Sequence, residues 1–387
     1  MSYGDVVRQG KESADPEASG LARYVAGEHM DTDDLRIRRW GTIGDGYLGP
    51  AFHRRFEAGQ VLYGSRRTYL RKVAVPDFAG ICANTTFVCE PADGRILPEF
   101  LPFVMQTDAF HRHSIARSKG SVNPYINWRD IASFSFRLPP VQEQRRVVAL
   151  LSQALEVSYR WEEVGDCLAT VQNALVGEWL TTQVPDDRWT RLGDAVVELK
   201  YGTSVKCGDA AVGHIPVLRI PNVVHGDISL TDLKWAPLTA DERSAYCVQP
   251  EDLLIVRTNG NPDYVGRCSV VGELDGDYAF ASYLLRLRVA KERLLPGYLW
   301  LLFTHPRIRH HMTYLARSSA GNYNLSAKGL NDLLLPIPTL TAQADILGKA
   351  SGLRRAERGA VAQQQRAATL ASVLRETMIS GDPDGHL

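Results

Sequence analysis

Two stretches of the chain place apolar residues in alternating steps of three and four. In the first, Val147, Leu150, Ala154, Val157, Trp161, Val164, Leu168, Val171 and Leu175 are all apolar, which is the seam expected of a coiled-coil helix. These positions span 28 residues, about 42 Å of helix at a rise of about 1.5 Å per residue. In the second, Ile346, Ala350, Leu353, Glu357, Ala360, Gln364, Ala367, Ala371, Leu374 and Met378 keep the same spacing, with only Glu357 and Gln364 polar. The first seam is rich in large residues and the second in alanine. Small side chains on one helix accept large ones from the other, so the two helices are expected to pair, antiparallel, within one chain.

Elsewhere the pattern is of short β-type runs punctuated by Gly and Pro. Gln60-Val61-Leu62-Tyr63-Gly64, Thr86-Phe87-Val88-Cys89, Ile215-Pro216-Val217-Leu218-Arg219-Ile220 and Asp252-Leu253-Leu254-Ile255-Val256 read as strands. Helix is expected after Pro98, where a proline suits a first turn, and over residues 299–316. The fold class is therefore α+β: two tandem β-rich domains with helices, each followed by a long helix, the two helices pairing as an antiparallel coiled coil. The expected boundaries are a flexible N-terminal arm at 1–20, a first domain at 21–140, a central coiled-coil helix at 141–184, a second domain at 188–338 and a C-terminal coiled-coil helix at 339–380. The arm is expected to be loose because Gly, Ser, Asp and Pro dominate it.

The two halves repeat one another. Leu97-Pro98-Glu99-Phe100-Leu101, Ala116-Arg117-Ser118, Pro139 and Gln144 return as Leu295-Pro296-Gly297-Tyr298-Leu299, Ala316-Arg317-Ser318, Pro338 and Gln343, at offsets of 198 to 200 residues and in the same order. That period is far too long for a solenoid. A globular unit plus a helix has been duplicated, and a two-fold design suits a two-fold ligand.

Composition adds bounds. With 387 residues, 44% hydrophobic and 23% charged, the chain has material for two or three cored domains. No apolar run approaches the roughly 18 residues that would span a bilayer, and residues 1–20 do not read as a secretory signal, so a cytoplasmic protein with no membrane partner is expected. Cys82, Cys89, Cys167, Cys207, Cys247 and Cys268 form no C-x-x-C pair and are expected to be reduced thiols. Lys plus Arg balances Asp plus Glu at 44 each, yet residues 36–72 hold nine basic residues (Arg36, Arg38, Arg39, Arg54, Arg55, Arg66, Arg67, Arg71, Lys72) against Asp45 and Glu57. This local basic patch is what a phosphate-binding surface would need.

Three enzyme-like strings carry little weight. Pro185-Asp186 followed by Glu198-Leu199-Lys200 fits the loose spacing of a nuclease metal site, a pattern common by chance. Asn261-Pro262-Asp263-Tyr264 and Asn123-Pro124-Tyr125 echo an adenine-methyltransferase motif, but neither is intact and no glycine-rich cofactor loop accompanies them, so they read as turns. His111, His113, His310 and His311 are not spaced to put two imidazoles on one helical face. There is no Gly-x-x-x-x-Gly-Lys for ATP. No metal site and no catalytic residue is expected.

Leu138-Pro139-Pro140-Val141-Gln142-Glu143-Gln144-Arg145-Arg146, Trp189-Thr190-Arg191-Leu192-Gly193-Asp194, Ile215-Pro216-Val217-Leu218-Arg219, and Arg38-Arg39-Trp40-Gly41 with Gly59-Gln60-Val61-Leu62-Tyr63-Gly64 resemble the specificity subunit of type I restriction-modification systems. The resemblance covers nearly the whole chain. The second copy departs from it: Thr339-Leu340-Thr341-Ala342-Gln343-Ala344-Asp345 lacks the Glu and both Arg. The resemblance implies a non-catalytic subunit whose two target-recognition domains each read half of a split, asymmetric site in double-stranded DNA. It implies two DNA methyltransferase (M) subunits and restriction/translocase (R) subunits as partners. Adenosylmethionine, ATP and magnesium are expected on those partners, none on this chain. The paired helices would be a ruler for the unread gap. The rival readings are a protein-interaction adaptor working through its coiled coil, and a DNA-modifying enzyme with divergent motifs.

Base edges are discriminated by Arg on guanine and Asn or Gln on adenine, while Lys, Ser, Thr and backbone amides hold phosphates. The DNA-binding candidates of the first domain are Arg66, Arg67, Tyr69, Arg71 and Lys72, then Arg117, Lys119, Ser121 and Asn123 in a Gly-containing loop. Those of the second are Lys206, Arg257, Asn259, Asn261 and Tyr264, then Arg317, Ser318, Asn322, Tyr323 and Asn324. Gln144, Arg145, Arg146 and Gln343 are candidates for partner binding.

Overall fold

The computed structural model describes residues 1–183, 189–224, 226–316 and 322–380. The chain divides into two compact units, Met1–Glu162 with Ala362–Leu387, and Glu163–Val361. Each contains two main sheets, and the strands that read as continuous apolar runs lie where both faces of a sheet are covered. Side chains alternate across a strand, so Val61 and Tyr63 enter one core of the first unit while Leu62 enters another. Leu253 and Ile255 likewise face one core of the second unit, and Leu254 and Val256 the other.

The units share a wiring. In the first, Arg23–Val25 pairs antiparallel with Gly41–Thr42 and parallel with Gly80–Ala83, and Thr86–Pro91 then returns against Val61–Gly64. In the second, Ile215–Leu218 pairs antiparallel with Lys234–Ala236 and parallel with Ala279–Phe280, and Leu284–Val289 returns against Leu253–Val256. Helices follow in both: Leu101–Met105 and Asp108–Ala116 in the first, Pro296–Thr304 and Pro306–Leu315 in the second. The helix expected over 299–316 is thus two helices, broken where Pro306 cannot donate to the turn before it.

The loose N-terminal arm is a correction. Val7–Gly10 is an edge strand against Thr86–Pro91, Tyr3, Val6 and Val7 are buried, and the Tyr3 amide donates to the Phe134 carbonyl at 2.7 Å. Polar bulk composition masked three apolar anchors, Tyr3, Val6 and Val7, which enter the core of the first unit.

The central helix runs from Val141 to Gln183 and the last from Leu340 to Arg375, continuing as one π-turn over Glu376–Ser380. In the first unit Val147 and Leu151 share a core with Leu374, Met378 and Ile379, and Ser158 Oγ lies 3.4 Å from the Gln364 carbonyl. In the second, Val176, Trp179 and Leu180 share a core with Ile346 and Ala350. The start of one helix meets the end of the other in each case, so the pairing is antiparallel.

The second seam sits inward along its whole length, from Ile346 to Met378. The first seam is corrected. Leu150, Val157, Trp161, Val164 and Val171 are 37–48% exposed, whereas Val147, Ala154, Leu168 and Leu175 face inward as expected and are joined there by Gln144, Leu151, Ser158, Glu162, Gly165, Gln172, Val176 and Trp179. Those residues also step by threes and fours, but polar members hid them from a search for apolar positions.

His111 is buried in the first unit with neither ring nitrogen hydrogen-bonded, and burial, with Arg71 and Arg375 nearby, pushes its pKa down to about 3. The folded state therefore resists protonation that the unfolded chain accepts below about pH 6.5. Stability is expected to be intact above that pH and to fall as pH drops toward 3. Urea unfolding at pH 7 and pH 5 should show the loss, and His111→Asn should flatten it; an unchanged slope in that variant would assign the acid loss to other groups.

Candidate nucleic-acid interface

Register places several loops at one end of the first unit. Gly64 pairs with Thr86 and Phe52 with Ala83, so the segments at 43–51, 65–68 and 84–85 emerge together. The Asn84 amide bonds the Ala51 carbonyl at 2.8 Å and the Ser65 amide bonds the Thr85 carbonyl at 3.0 Å. A fourth loop joins them: Lys119 and Tyr125 exchange backbone bonds of 2.8 and 2.9 Å, with Gly120 turning at φ +92°, and the Ile126 amide bonds Ser65 O at 2.9 Å.

On this platform Arg66, Arg67, Tyr69, Arg117, Lys119, Ser121 and Asn123 are exposed. Lys119 lies 3.3 Å from Asp130, while Arg66 and Arg67 have no carboxylate partner among the described residues. Two candidates are otherwise engaged. The Arg71 guanidinium bonds Asp33, Asp108 and the Gln106 carbonyl; burial opposes its charge, but these carboxylates outweigh that and raise its pKa. Lys72 donates to the Gly27 carbonyl. Both are structural side chains. The basic patch is corrected too, because Arg36, Arg38, Arg39, Arg55 and Arg71 are ion-paired, largely to Asp31, Asp34, Asp108 and Glu162 from outside or far along the sequence.

The second unit repeats the device. The Leu325 amide bonds Arg257 O at 2.7 Å, as Ile126 bonds Ser65, and Thr258–Asn259 pairs with Tyr323–Asn324. Arg257 is anchored by Asn324 Oδ1 at 3.1 and 3.3 Å and Ser282 O at 3.1 Å, and lies 4.7 Å over the Tyr201 ring. Asn259 and Asn261 accept the amides of Asn261 and Asp263 at 2.8 and 2.9 Å, so Asn261-Pro262-Asp263-Tyr264 is a turn. Tyr264 and Tyr323 pack partly on core residues, whereas Lys206, Asn261, Asn322 and Asn324 are exposed. Arg317, Ser318 and Pro185-Asp186 lie outside the described residues. Glu198 pairs with Arg286 at 2.7 Å instead of facing an open metal site. Tyr201 and Tyr283, exposed beside Arg257, were missed; their signal was only that each flanks a strand end.

Gln144 and Gln343 are corrected as partner-binding residues. Gln144 Oε1 accepts from the Leu97 amide at 2.8 Å, and its Nε2 donates to Arg95 O and Pro139 O at 2.7 and 2.9 Å. Gln343 does the same with the Leu295 amide, Arg293 O and Pro338 O, at 2.8 Å each. Both side chains are fully buried. They lock the start of each long helix to the loop before the helical half of its own unit. Arg145 and Arg146 are exposed.

The displaced apolar stripe forms an open face. In the first unit Leu150, Val157 and Trp161 each precede an inward residue by one position, and so do Leu370 and Val373 on the last helix, both exposed. Reversing a helix and turning it to face its partner cancel, so the two flanks lie on the same side of an antiparallel pair. In the second unit Val164 and Val171 are exposed in the same relation to Gly165 and Gln172.

Comparison with known proteins agrees with this architecture. The chain is similar to the EcoKI specificity subunit of the type I restriction enzyme of Escherichia coli, 27% identical over 282 residues, covering 67% of this chain and 60% of that protein. It is similar to the StySPI specificity subunit of Salmonella potsdam, 23% identical over 265 residues, 63% of this chain and 56% of that protein. The chain thus spans less than two thirds of the length of these relatives. The type I restriction-modification S subunit from M. genitalium shares the fold, with a TM-score of 0.51 at 13% identity over 100% of this chain and 96% of that one. No family model matches. Among the described residues no helix is long and apolar enough to cross a membrane.

Proposed function

We propose that this chain is a non-catalytic, sequence-specific subunit that binds a bipartite, asymmetric site in double-stranded DNA and directs methyltransferase and restriction subunits to it. The observation that carries this reading is the duplicated loop platform, with Arg67 and Asn123 at the end of one unit and Arg257 and Asn324 at the end of the other. Two such platforms on one chain suit two half-sites. The long paired helices would set the unread gap between them. Specificity subunits are what the similar proteins are named. Adenosylmethionine, ATP and magnesium would act on the partner subunits.

The exposed apolar flanks of the helix pair supply a surface for a methyltransferase subunit. Trp161→Glu is expected to abolish co-purification of that subunit while leaving the melting curve of this chain unchanged; retained co-purification would remove the stripe from the partner interface. The DNA-binding reading is tested by titrating the assembled complex on a genomic duplex across salt. Neutralising several phosphates should give a log-log slope of about −0.9 per phosphate, and scrambled DNA should compete poorly. A flat salt response would favour the adaptor reading.

A further inference from the structure

We propose that Arg67 reads a guanine in one half-site and that Asn123 aligns it without reading a base; this rests on the DNA-binding role above. Arg67 has φ 50° and ψ 55°, the left-handed region that a long L side chain occupies only where its surroundings dictate it. Here they do. Its amide donates to Pro124 O at 2.6 Å, its Nε donates to Asn123 Oδ1 at 2.7 Å, and the next residue, Thr68, is buried with its hydroxyl 2.7 Å from Ser118 Oγ. Backbone and Nε are thus both fixed, which fixes the plane of the guanidinium. No acceptor among the described residues takes the terminal Nη atoms, and the residue is exposed.

What remains is a fork of N–H donors held in advance of binding. In the major groove, guanine alone offers two adjacent acceptors, O6 and N7, whereas adenine sets a donor beside its N7 and cytosine presents a donor. A phosphate could take the same fork, but such a contact ignores base identity. Asn123 is committed to aligning: its Oδ1 already accepts from Arg67 Nε, so the paired contact that identifies adenine, Oδ1 as acceptor with Nδ2 as donor, would have to use that oxygen's second lone pair with the amide turned as Arg67 holds it. The second unit reverses the roles. Arg257 spends its Nη atoms on Ser282 O and Asn324, so Arg257 itself offers no equivalent open fork.

The test uses the complete chain assembled with its methyltransferase subunits and a duplex carrying the methylated split site. Each guanine is replaced in turn by 7-deazaguanine, which removes N7 alone. One position is expected to weaken the wild type about tenfold or more. The same replacement should add nothing in Arg67→Ala, which removes every donor to that base, and Asn123→Ala should show reduced sensitivity at that same guanine. Melting temperatures equal to wild type for both variants separate lost reading from lost folding. Independent, additive losses from Arg67→Ala and 7-deazaguanine would identify a phosphate contact and overturn the proposal, as would a site with no sensitive guanine. A new insensitivity to adenine modification in Asn123→Ala would overturn the aligning role. If the wild-type complex does not prefer its site to scrambled DNA, the DNA-reading function itself has failed, a different result from a site that is preferred but indifferent to Arg67.

Discussion

Replacing Gln343 with leucine is expected to lower the unfolding free energy of the chain by about 3 kcal/mol, because buried polar groups left without partners cost about 1–3 kcal/mol each. The leucine fills the volume, yet it deprives the Leu295 amide and the carbonyls of Arg293 and Pro338 of the partner that the fully buried Gln343 supplies. Part of the loss is recovered where a carbonyl finds water, which keeps the figure below the sum of three penalties. Gln343→Glu should also destabilise: it keeps the acceptor for Leu295 but loses both donors and turns a negative group toward two carbonyls. Gln144→Leu should do the same in the first unit through Leu97, Arg95 and Pro139. Urea unfolding followed by circular dichroism checks this. Arg145→Ala, at the exposed neighbour, should stay within about 0.5 kcal/mol of wild type. A Gln343→Leu loss equally small would mean that the amide network does not hold the helix to its unit.

Asp252→Asn is expected to cost about 3–5 kcal/mol, the penalty of leaving a buried charge uncompensated. The side chains of Arg286 and Asp252 are 2% and 3% exposed, and four charges share the site: Arg286 with Glu198 at 2.7 Å, and Arg288 with Asp252 at 2.7 Å. Arg286 also donates to Cys247 O at 2.7 Å, but its Nε, 3.8 Å from Asp252, makes no hydrogen bond. It therefore depends on the field of the carboxylates as well as on direct bonds. Removing one carboxylate leaves two guanidinium groups on one, and the substituted amide would still have to serve the Gln249 amide that Asp252 now accepts. The double variant Asp252→Asn/Arg286→Met should recover part of the loss, since an apolar replacement removes the stranded charge. Additive destabilisation in the double variant would show that the two residues act separately.

The architecture was readable because it rests on local periodicity. The alanine seam from Ile346 to Met378 is inward at every expected position, since small residues on a helix have little reason to recur at that spacing unless a partner lies close. The first seam was misread because its inward positions include Gln144, Ser158, Glu162, Gly165 and Gln172, and the larger apolar residues sit one position away. Glu162 shows why no local pattern could reveal this: its carboxylate is satisfied by Arg36 and Arg38, more than a hundred residues earlier in the chain. The basic patch failed for the same reason. Local charge counting cannot see Asp108 or Glu162 folding back onto it. Arg67 and Asn123 were legible as candidates by residue type, but their division of labour depends on one 2.7 Å bond across 56 residues, which only the folded chain supplies.

The central claim, that two units on one chain read one split site, is tested most directly by mapping methylated adenines across the genome of cells that express this chain with a DNA methyltransferase subunit that co-purifies with it. The account predicts a single bipartite motif with a constant gap, lost when this chain is deleted and altered in gap when one heptad is cut from both long helices. No motif, or a motif that survives deletion of this chain, would contradict it.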